Sequence, residues 1–224
     1  MPDSFANKLL QWYDCHGRHD LPWHHNRNAY RVWVSEIMLQ QTQVTTVIPY
    51  FEAFMERFPD VHALAEAPVD DVLSHWSGLG YYARARNLQK AAQTVVRELD
   101  GEFPQTQEKL ESLTGIGRST AAAILAQAFG IRAAILDGNV KRVLARYHAI
   151  PGWPGQTAVL NQLWQRAEEH TPKQRVRDYT QGIMDLGAMV CTRSRPACES
   201  CPLQEGCKAY AQGETSLYPG SKPK

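Results

Sequence analysis

The chain has 224 residues, of which 43% are hydrophobic and 21% are charged, which is the composition of a globular protein. This excludes an intrinsically disordered or collagen-like chain, and no apolar run approaches the ~20 residues that a membrane-spanning helix needs. The 24 Lys and Arg nearly balance the 23 Asp and Glu, giving a net charge of +1. A site for an anionic partner such as nucleic acid must therefore be local.

Apolar residues recur at helical spacing along nearly the whole chain, and strand-like alternation is rare. The pattern predicts an N-terminal helix, a helix over residues 30–48 that stops before Pro49, a short helix after Pro68 and a long helix over residues 81–99. Further helices are predicted over residues 107–113, 118–129, 139–148, 156–170 and 175–189. The predicted fold class is therefore all-α.

The two ends of the chain carry different signals. The first ten residues, MPDSFANKLL, lack the apolar core of a secretory signal, so we expect a cytoplasmic protein. Residues 213–224 are rich in Gly, Pro and Lys. This composition predicts a flexible tail.

Four of the five cysteines lie close together, in the pattern C-x6-C-x2-C-x5-C formed by Cys191, Cys198, Cys201 and Cys207. In a reducing cytoplasm such a cluster predicts a metal centre rather than disulfides. Four thiolates can bind a [4Fe–4S] cluster, one to each iron, or surround a zinc ion as a tetrahedron. The spacing leaves both open. Cys15 stands apart and is interpreted as an ordinary thiol.

Residues 113–120 read LTGIGRST and directly precede an alanine-rich predicted helix. Gly115 and Gly117 permit a sharp turn that brings backbone N–H groups close to an anion, with the helix N-terminus at the same place. Such a turn contacts phosphate without reading sequence. By themselves, however, these residues favour the alternative, a plain connection between two helices with a glycine stop.

Two acids have surroundings that suit catalysis. Glu36 lies on the predicted helix 30–48 with Val32, Trp33 and Leu39 as neighbours, so burial is expected to raise its pKa and make it a general acid. The alternative is a boundary glutamate paired with an arginine. Asp137 stands at a predicted helix start, where the alternative is a simple N-cap.

The hairpin LTGIGRSTA, followed by Asp137 and the four-cysteine loop, resembles the helix-hairpin-helix DNA glycosylases that carry an iron–sulfur cluster. The segments SEIMLQQTQV, GLGYYARARNL, ILDGNVKRVLAR and MDLGAMVCTRSRPAC are similar to the MutY family of adenine DNA glycosylases, which remove adenine mispaired with 8-oxoguanine. The resemblance covers residues 5–220. It implies a lobe with the hairpin over residues 23–130 and a cluster lobe over residues 1–22 plus 131–212. The tail at 213–224 then leads to a C-terminal domain outside this chain.

The resemblance also implies catalytic roles. Glu36 would protonate N7 of adenine, an ionised Asp137 would stabilise the sugar cation, and Asn139 would assist at this site. Ser119 stands where the related endonuclease III type has the lysine that forms a Schiff base. We therefore expect base release without efficient strand cleavage.

The remaining implied roles concern binding. The adenine pocket is expected to use Leu21, Trp23, Val44 and Gln181, and His24 stands where some relatives carry an arginine. The expected DNA contacts are Gln40, Gln41, Thr42, Leu79, Tyr81, Gly115, Gly117, Ser119 and Lys141. The expected cofactor is a [4Fe–4S] cluster, and the expected partner is double-stranded DNA with A:8-oxoguanine or A:G mispairs.

We expect a bacterial, nucleoid-associated monomer with no membrane association. Two alternative functions remain open: an endonuclease III-like glycosylase/lyase for oxidised pyrimidines, and a non-catalytic DNA-binding module with a four-cysteine metal site.

Overall fold

The computed structural model describes residues 4–223, and within them the chain is helical without a β-strand. None of the helices in this range is long and apolar enough to cross a bilayer. The chain forms two units, which we call the hairpin unit (His19–Phe129) and the cysteine unit (residues up to Arg18 together with those from Gly130 onward). The prediction of an all-α fold is confirmed.

The hairpin unit is built around a core of large aromatic side chains. Its helices are α2 (Ala29–Leu39), α3 (Val44–Arg57), α4 (Val61–Glu66), α5 (Val69–His75), α6 (Ala83–Glu98), α7 (Gln107–Glu111) and α8 (Arg118–Ile124). Phe54 packs against both Phe58 and Trp76, and all three side chains are completely buried. Burying each such side chain contributes on the order of 2–3 kcal/mol, which holds α3 against the end of α5.

The prediction of one helix over residues 30–48 is wrong, because the chain turns between α2 and α3. Gln41 adopts a left-handed conformation with φ +59°, which no α-helix can accommodate. α3 then begins at Val44 and includes Pro49 in its second turn. Proline was expected to stop the helix, but α3 continues through it to Arg57, at the cost of the hydrogen bond that an N–H here would make to the carbonyl of Thr45. The predicted helix 118–129 also changes character, since Leu125–Phe129 continues α8 as a π-helical stretch.

The cysteine unit packs its helices through small residues. Its helices are α1 (Ser4–His16), α9 (Gly138–His148), α10 (Thr157–His170), α11 (Val176–Met189) and α12 (Lys208–Ala211). A Cβ atom on Gly182 of α11 would stand 3.2 Å from Tyr13 of α1, and one on Gly187 would stand 2.7 Å from Asn139 of α9. α11 thus lies close against both α1 and α9 because these two positions lack side chains.

The chain after α12 makes defined contacts in the cysteine unit. The N–H of Gly220 donates to the carbonyl of Gly152 at 3.0 Å, and the guanidinium of Arg146 donates to the carbonyls of Thr215 and Tyr218. These contacts involve residues of the segment for which composition predicts a flexible tail.

Candidate functional site

Asp137 caps α9 from a half-buried position. Its Oδ1 accepts a hydrogen bond from the N–H of Val140 at 2.7 Å, and the amide of Asn139 donates to its Oδ2 at 3.4 Å. Burial raises the pKa of the Asp137 carboxyl, and these hydrogen bonds and the nearby Arg142 guanidinium oppose that rise. The carboxyl is thus a helix N-cap that is partly removed from water and still partly exposed.

Arg142 links this acid to the cysteine loop. Its Nη2 donates to Oδ1 of Asn139 at 2.8 Å and also to the carbonyl of Gly187, while its Nε donates to the carbonyl of Cys191 at 2.6 Å. Arg142 therefore holds both Asn139, whose amide contacts Asp137, and the start of the cysteine loop at Cys191. Lys141, on the same turn of α9, is half-buried.

Glu36 lies near the end of α2 in the hairpin unit. Its chain neighbours Ser35 and Ile37 are buried, as are Val32 and Trp33 on the preceding turn, and Glu36 itself is partly exposed. The side chain therefore stands at the edge of the buried face, as the helical spacing predicts. It is accessible to a bound molecule without being a fully solvated surface group.

The hairpin between α7 and α8 is a tight turn with one buried anchor. Ile116 is 4% exposed, and its N–H donates to the carbonyl of Leu113. Gly115 has φ +83°, and Gly117 caps α8 with open space beside it. The N–H groups at the start of α8 are thus accessible beside Gly117, and Ser119 is half-buried on the first turn.

Two loops of the hairpin unit carry the predicted DNA contacts. In the first, Gln41 is exposed while Gln40 and Thr42 are half-buried. In the second, Tyr81 is 65% exposed with φ +49°, whereas Leu79 is only 6% exposed. The structure therefore presents Tyr81 to solvent and keeps Leu79 inside.

Three of the predicted pocket residues, Leu21, Trp23 and Val44, belong to the hairpin unit. Trp23 is 4% exposed in a 3-10 turn and packs edge-on against Phe51 of α3, with ring centroids 5.4 Å apart. Leu21 is buried beside it in sequence, and Val44 begins α3. Leu21 and Trp23 are thus core side chains and Val44 is half-buried, and their role in holding a base stays a prediction.

Gln181 belongs to the cysteine unit and is oriented by the buried carboxylate of Asp185, which pairs with Arg18. Its Nε2 donates to Oδ1 of Asp185 at 2.8 Å. Asp185 is completely buried and also accepts from the backbone N–H, Nε and Nη2 of Arg18, at 2.8, 2.9 and 2.6 Å. The amide group of Gln181 is therefore fixed, which suits recognition of a base edge by hydrogen bonds.

The four clustered cysteines line a single cavity in the cysteine unit. All four are free thiols, and the same cavity is walled by apolar side chains including Val143, Leu186 and Leu203. Burial raises the pKa of the Cys201 thiol to about 11, so a positively charged centre is needed to hold it as a thiolate. Arg146 donates to Sγ of Cys191 at 3.3 Å. Such a donor set fits an iron–sulfur cluster, in which each thiolate binds its own iron.

The sequence alone did not indicate a role for four residues that the structure places in hydrogen-bond networks. Arg84, Arg142, Arg146 and Asp185 all fall in or next to the quoted motifs, yet no role was assigned to them. Arg142 and Arg146 lie on one helix at i and i+4, and this spacing next to a cysteine loop is the signal that could have indicated them. Arg84 offered no local signal, because its acceptors are backbone carbonyls more than 40 residues away as well as nearby ones.

Comparison with known proteins identifies the family. Residues 34–169 match the model of the HhH-GPD superfamily of base excision DNA repair proteins, and residues 191–207 match the iron–sulfur binding domain of endonuclease III. The zinc alternative is thereby excluded, and the cofactor is a [4Fe–4S] cluster, as the resemblance implied.

The relatives agree with this assignment. The adenine DNA glycosylase of Buchnera aphidicola subsp. Schizaphis graminum is 44% identical over 98% of this chain and 63% of its own length, and that of Mus musculus is 46% identical over 97% and 44%. The chain thus spans about half the length of these curated relatives. A solved thermostable thymine-DNA glycosylase superposes with a TM-score of 0.84 at 28% identity, covering 93% of this chain and 95% of the other. The chain therefore belongs to the HhH-GPD superfamily of base excision DNA repair proteins.

Proposed function

We propose that this chain is a monofunctional adenine DNA glycosylase that hydrolyses the N-glycosidic bond of adenine mispaired with 8-oxoguanine or guanine in duplex DNA. The observation that carries the proposal is the half-buried carboxyl of Asp137, held by the N–H of Val140 and the amide of Asn139. The relatives named adenine DNA glycosylases support the choice of base.

The proposed reaction solves a leaving-group problem. Breaking the bond from C1′ to N9 leaves an anionic base, so Glu36 first donates its proton to N7 and the base departs neutral with the bonding electron pair. The sugar then has oxocarbenium character, which the Asp137 carboxylate stabilises. Water adds at C1′ and loses a proton to one of the two carboxylates, and an abasic site remains. The hydrogen bonds to Asp137 favour the ionised form that this role requires.

Strand cleavage is not part of the proposed activity. A lyase step needs a neutral amine that attacks C1′ and forms a Schiff base. Ser119 supplies a hydroxyl at the position concerned, and Lys141, on α9, is proposed to bind phosphate instead. The product is therefore an intact strand with an abasic site.

The substrate base has to leave the duplex before it can react. We propose that Gln40, Gln41 and Thr42 contact the DNA from one loop and that Tyr81, which is 65% exposed, inserts into the stack from the other. Leu79 is buried and would reach the duplex only after its loop moves. The backbone at Gly115 and Gly117, together with Ser119, is proposed to contact phosphate.

The extruded adenine is proposed to lie against Leu21, Trp23 and Val44 and to hydrogen-bond with the fixed amide of Gln181. The four thiolates of Cys191, Cys198, Cys201 and Cys207 are proposed as the cluster ligands. When bound, the [4Fe–4S] cluster would supply the charge that keeps these half-buried thiols ionised. The protein is proposed to act as a monomer on the DNA of the nucleoid.

A glycosylase assay on duplexes that differ only in the mispair tests the proposal. The chain should release adenine opposite 8-oxoguanine and guanine, and Glu36→Gln should abolish release while leaving binding of the same duplex. Glu56→Gln, an exposed glutamate on α3, is the matched control and should act like the unchanged chain. Release of thymine but not adenine, or unchanged adenine release by Glu36→Gln, would contradict the proposal.

Borohydride trapping distinguishes the alternative endonuclease III-like activity. A Schiff base with the sugar would be reduced to a covalent protein–DNA adduct. We expect only trace capture by this chain, and efficient capture would favour the glycosylase/lyase. DNA binding without release of any base would favour the non-catalytic module.

A further inference from the structure

Arg84, in the first turn of α6, makes an unusual number of hydrogen bonds with the backbone of two separate loops. Its Nη1 donates to three carbonyls at the end of α2 and just beyond it: Ile37 at 2.9 Å, Met38 at 3.0 Å and Gln40 at 2.6 Å. Its Nη2 donates to the carbonyls of Leu79 at 3.1 Å and Gly80 at 3.2 Å, and to Oγ1 of Thr42 at 3.4 Å. One guanidinium therefore joins residues 37–42 to residues 79–80.

The acceptors on α2 belong to its last turn, where Ile37 also accepts a long hydrogen bond from the N–H of Gln40 at 3.4 Å. The last four carbonyls of an α-helix have no intrahelical N–H partner, and α2 ends at Leu39. A cation at this end also interacts favourably with the helix dipole. Arg84 thus supplies the C-terminal cap of the helix that carries Glu36.

Both loops need stabilising contacts because each contains a residue with a strained backbone. Gln41 and Tyr81 are non-glycine residues in the left-handed region, at φ +59° and +49°, a conformation that costs roughly 1–2 kcal/mol for each. Conformations of this kind persist only where surrounding contacts over-determine them. Arg84 provides those contacts at Gln40 and Thr42 on either side of Gln41, and at Gly80 next to Tyr81.

Aromatic rings hold the guanidinium in place. Its central carbon lies 5.4 Å from the ring centroid of Trp76, which is completely buried, and 5.5 Å from that of the exposed Tyr81. Trp76 Nε1 also donates to the carbonyl of Gly80 at 3.2 Å. The side chain of Tyr81 thus rests on the same guanidinium that fixes the other loop.

We propose that Arg84 is a positioning residue that clamps the two DNA-contacting loops together and fixes the end of the Glu36 helix, so that insertion of Tyr81 and placement of the acid occur as one unit. This inference rests on the proposed function. The clamp acts through Gln41, Thr42 and Tyr81 and makes no contact with the reacting atoms.

The conservative variant Arg84→Lys separates this role from that of a simple positive charge. An ammonium group has three donors on one nitrogen and cannot reach the acceptors that Nη1 and Nη2 divide between them. Arg86→Lys is the matched control, since Arg86 is exposed two residues further along α6. The smaller variant Arg84→Ala leaves a space that added guanidinium ion can fill.

The experiment uses the full chain with its cluster and a duplex containing 2-aminopurine at the target position, whose fluorescence rises on extrusion. Arg84→Lys should weaken that rise and slow single-turnover adenine release by about 10²-fold, because small misplacements of a catalytic group have effects of this size. Binding of an undamaged duplex should change less than about twofold, since no phosphate contact is removed. Added guanidinium should partly restore Arg84→Ala, and Arg86→Lys should behave like the unchanged chain.

Hydrogen exchange of the DNA-free protein provides a readout that does not depend on the reaction. Amides of residues 40–43 and 78–82 should exchange faster in Arg84→Lys, while those of α4 stay protected. If the unchanged chain released no adenine but both loops loosened in this way, the clamp would stand and the proposed function would fail. Unchanged exchange with normal extrusion would overturn the clamp, and so would a general loss of protection across the whole hairpin unit.

Discussion

The guanidinium of Arg146 donates a hydrogen bond from Nη1 to the sulfur of Cys191 at 3.3 Å, and it does so from a position only 3% exposed to solvent. The same side chain donates to the carbonyls of Thr192 and Arg193, the two residues that follow Cys191. Through Nε it also reaches the carbonyls of Thr215 and Tyr218. A single buried cation therefore holds the first cysteine, the start of its loop and the segment after α12.

Replacing this residue should make the cluster labile. Hydrogen bonds to charged groups contribute about 1.5–3 kcal/mol, and lysine can replace only some of those made by Arg146. We expect Arg146→Lys to lose its cluster to a chelator or to air about tenfold faster or more than the unchanged chain, as followed by the visible absorbance of the cluster. Arg166→Lys, in an exposed i,i+3 ion pair, is the control. Equal loss rates for the two variants would mean that Arg146 does not protect the cluster.

Most helices could be predicted from the sequence because the spacing of apolar residues that indicates a helix is a local signal. Helical periodicity predicted the extents of α6, α9, α10 and α11 to within about two residues, the usual error at helix ends. It failed at Gln41, since nothing in an apolar-rich stretch signals one left-handed glutamine. It also assigned no role to Arg84, Arg142 and Arg146, since the carbonyls they bind are placed by tertiary packing. Cysteine spacing alone could not distinguish zinc from iron, because both take four thiolates.

Gly187 should be intolerant of even a methyl group. A Cβ atom there would stand 2.7 Å from Cβ and 3.0 Å from the carbonyl oxygen of Asn139, so α11 would have to move away from α9. Overpacking of this kind costs about 1–3 kcal/mol, and Gly187→Ala should lower Tm by ~2–4 °C for each kcal/mol. Gly138→Ala is the control, because nothing lies within 4 Å of its Cβ position. Equal melting temperatures for the two variants would contradict the close packing.

Asp185 should matter far more for stability than a surface acid that also pairs with arginine. Asp185 is completely buried but its partner Arg18 is 26% exposed, so removing the acid leaves a guanidinium that water can partly solvate, at a cost of about 1–3 kcal/mol. Asp185→Asn should therefore strongly lower the free energy of unfolding in urea and release the amide of Gln181. Asp14→Asn breaks the exposed pair with Arg175, which is worth about 0–1 kcal/mol. If both variants unfolded at the same urea concentration, the hydrogen bonds of Asp185 would stabilise the fold no more than the exposed pair of Asp14 and Arg175 does.

The ionised carboxyl of Asp137 should lower the stability of the fold, because its proposed role requires a charge at a partly desolvated position. Burial raises its pKa, so between the unfolded and folded pKa values the native state holds more protons than the unfolded state. Stability from this group therefore falls as pH rises through that window and stays reduced above it. Asp137→Asn keeps an N-cap but removes the charge, so at neutral pH it should raise Tm by ~2–4 °C for each kcal/mol relieved. The gain in Tm should shrink as pH falls towards that window.

The same substitution, Asp137→Asn, should slow adenine release by about 10²-fold or more. Asp60→Asn, at the exposed N-cap of α4, should alter neither Tm nor release. A lower Tm for Asp137→Asn at neutral pH would show that the carboxylate stabilises the fold, and stability and catalysis would then make no opposing demands on this residue.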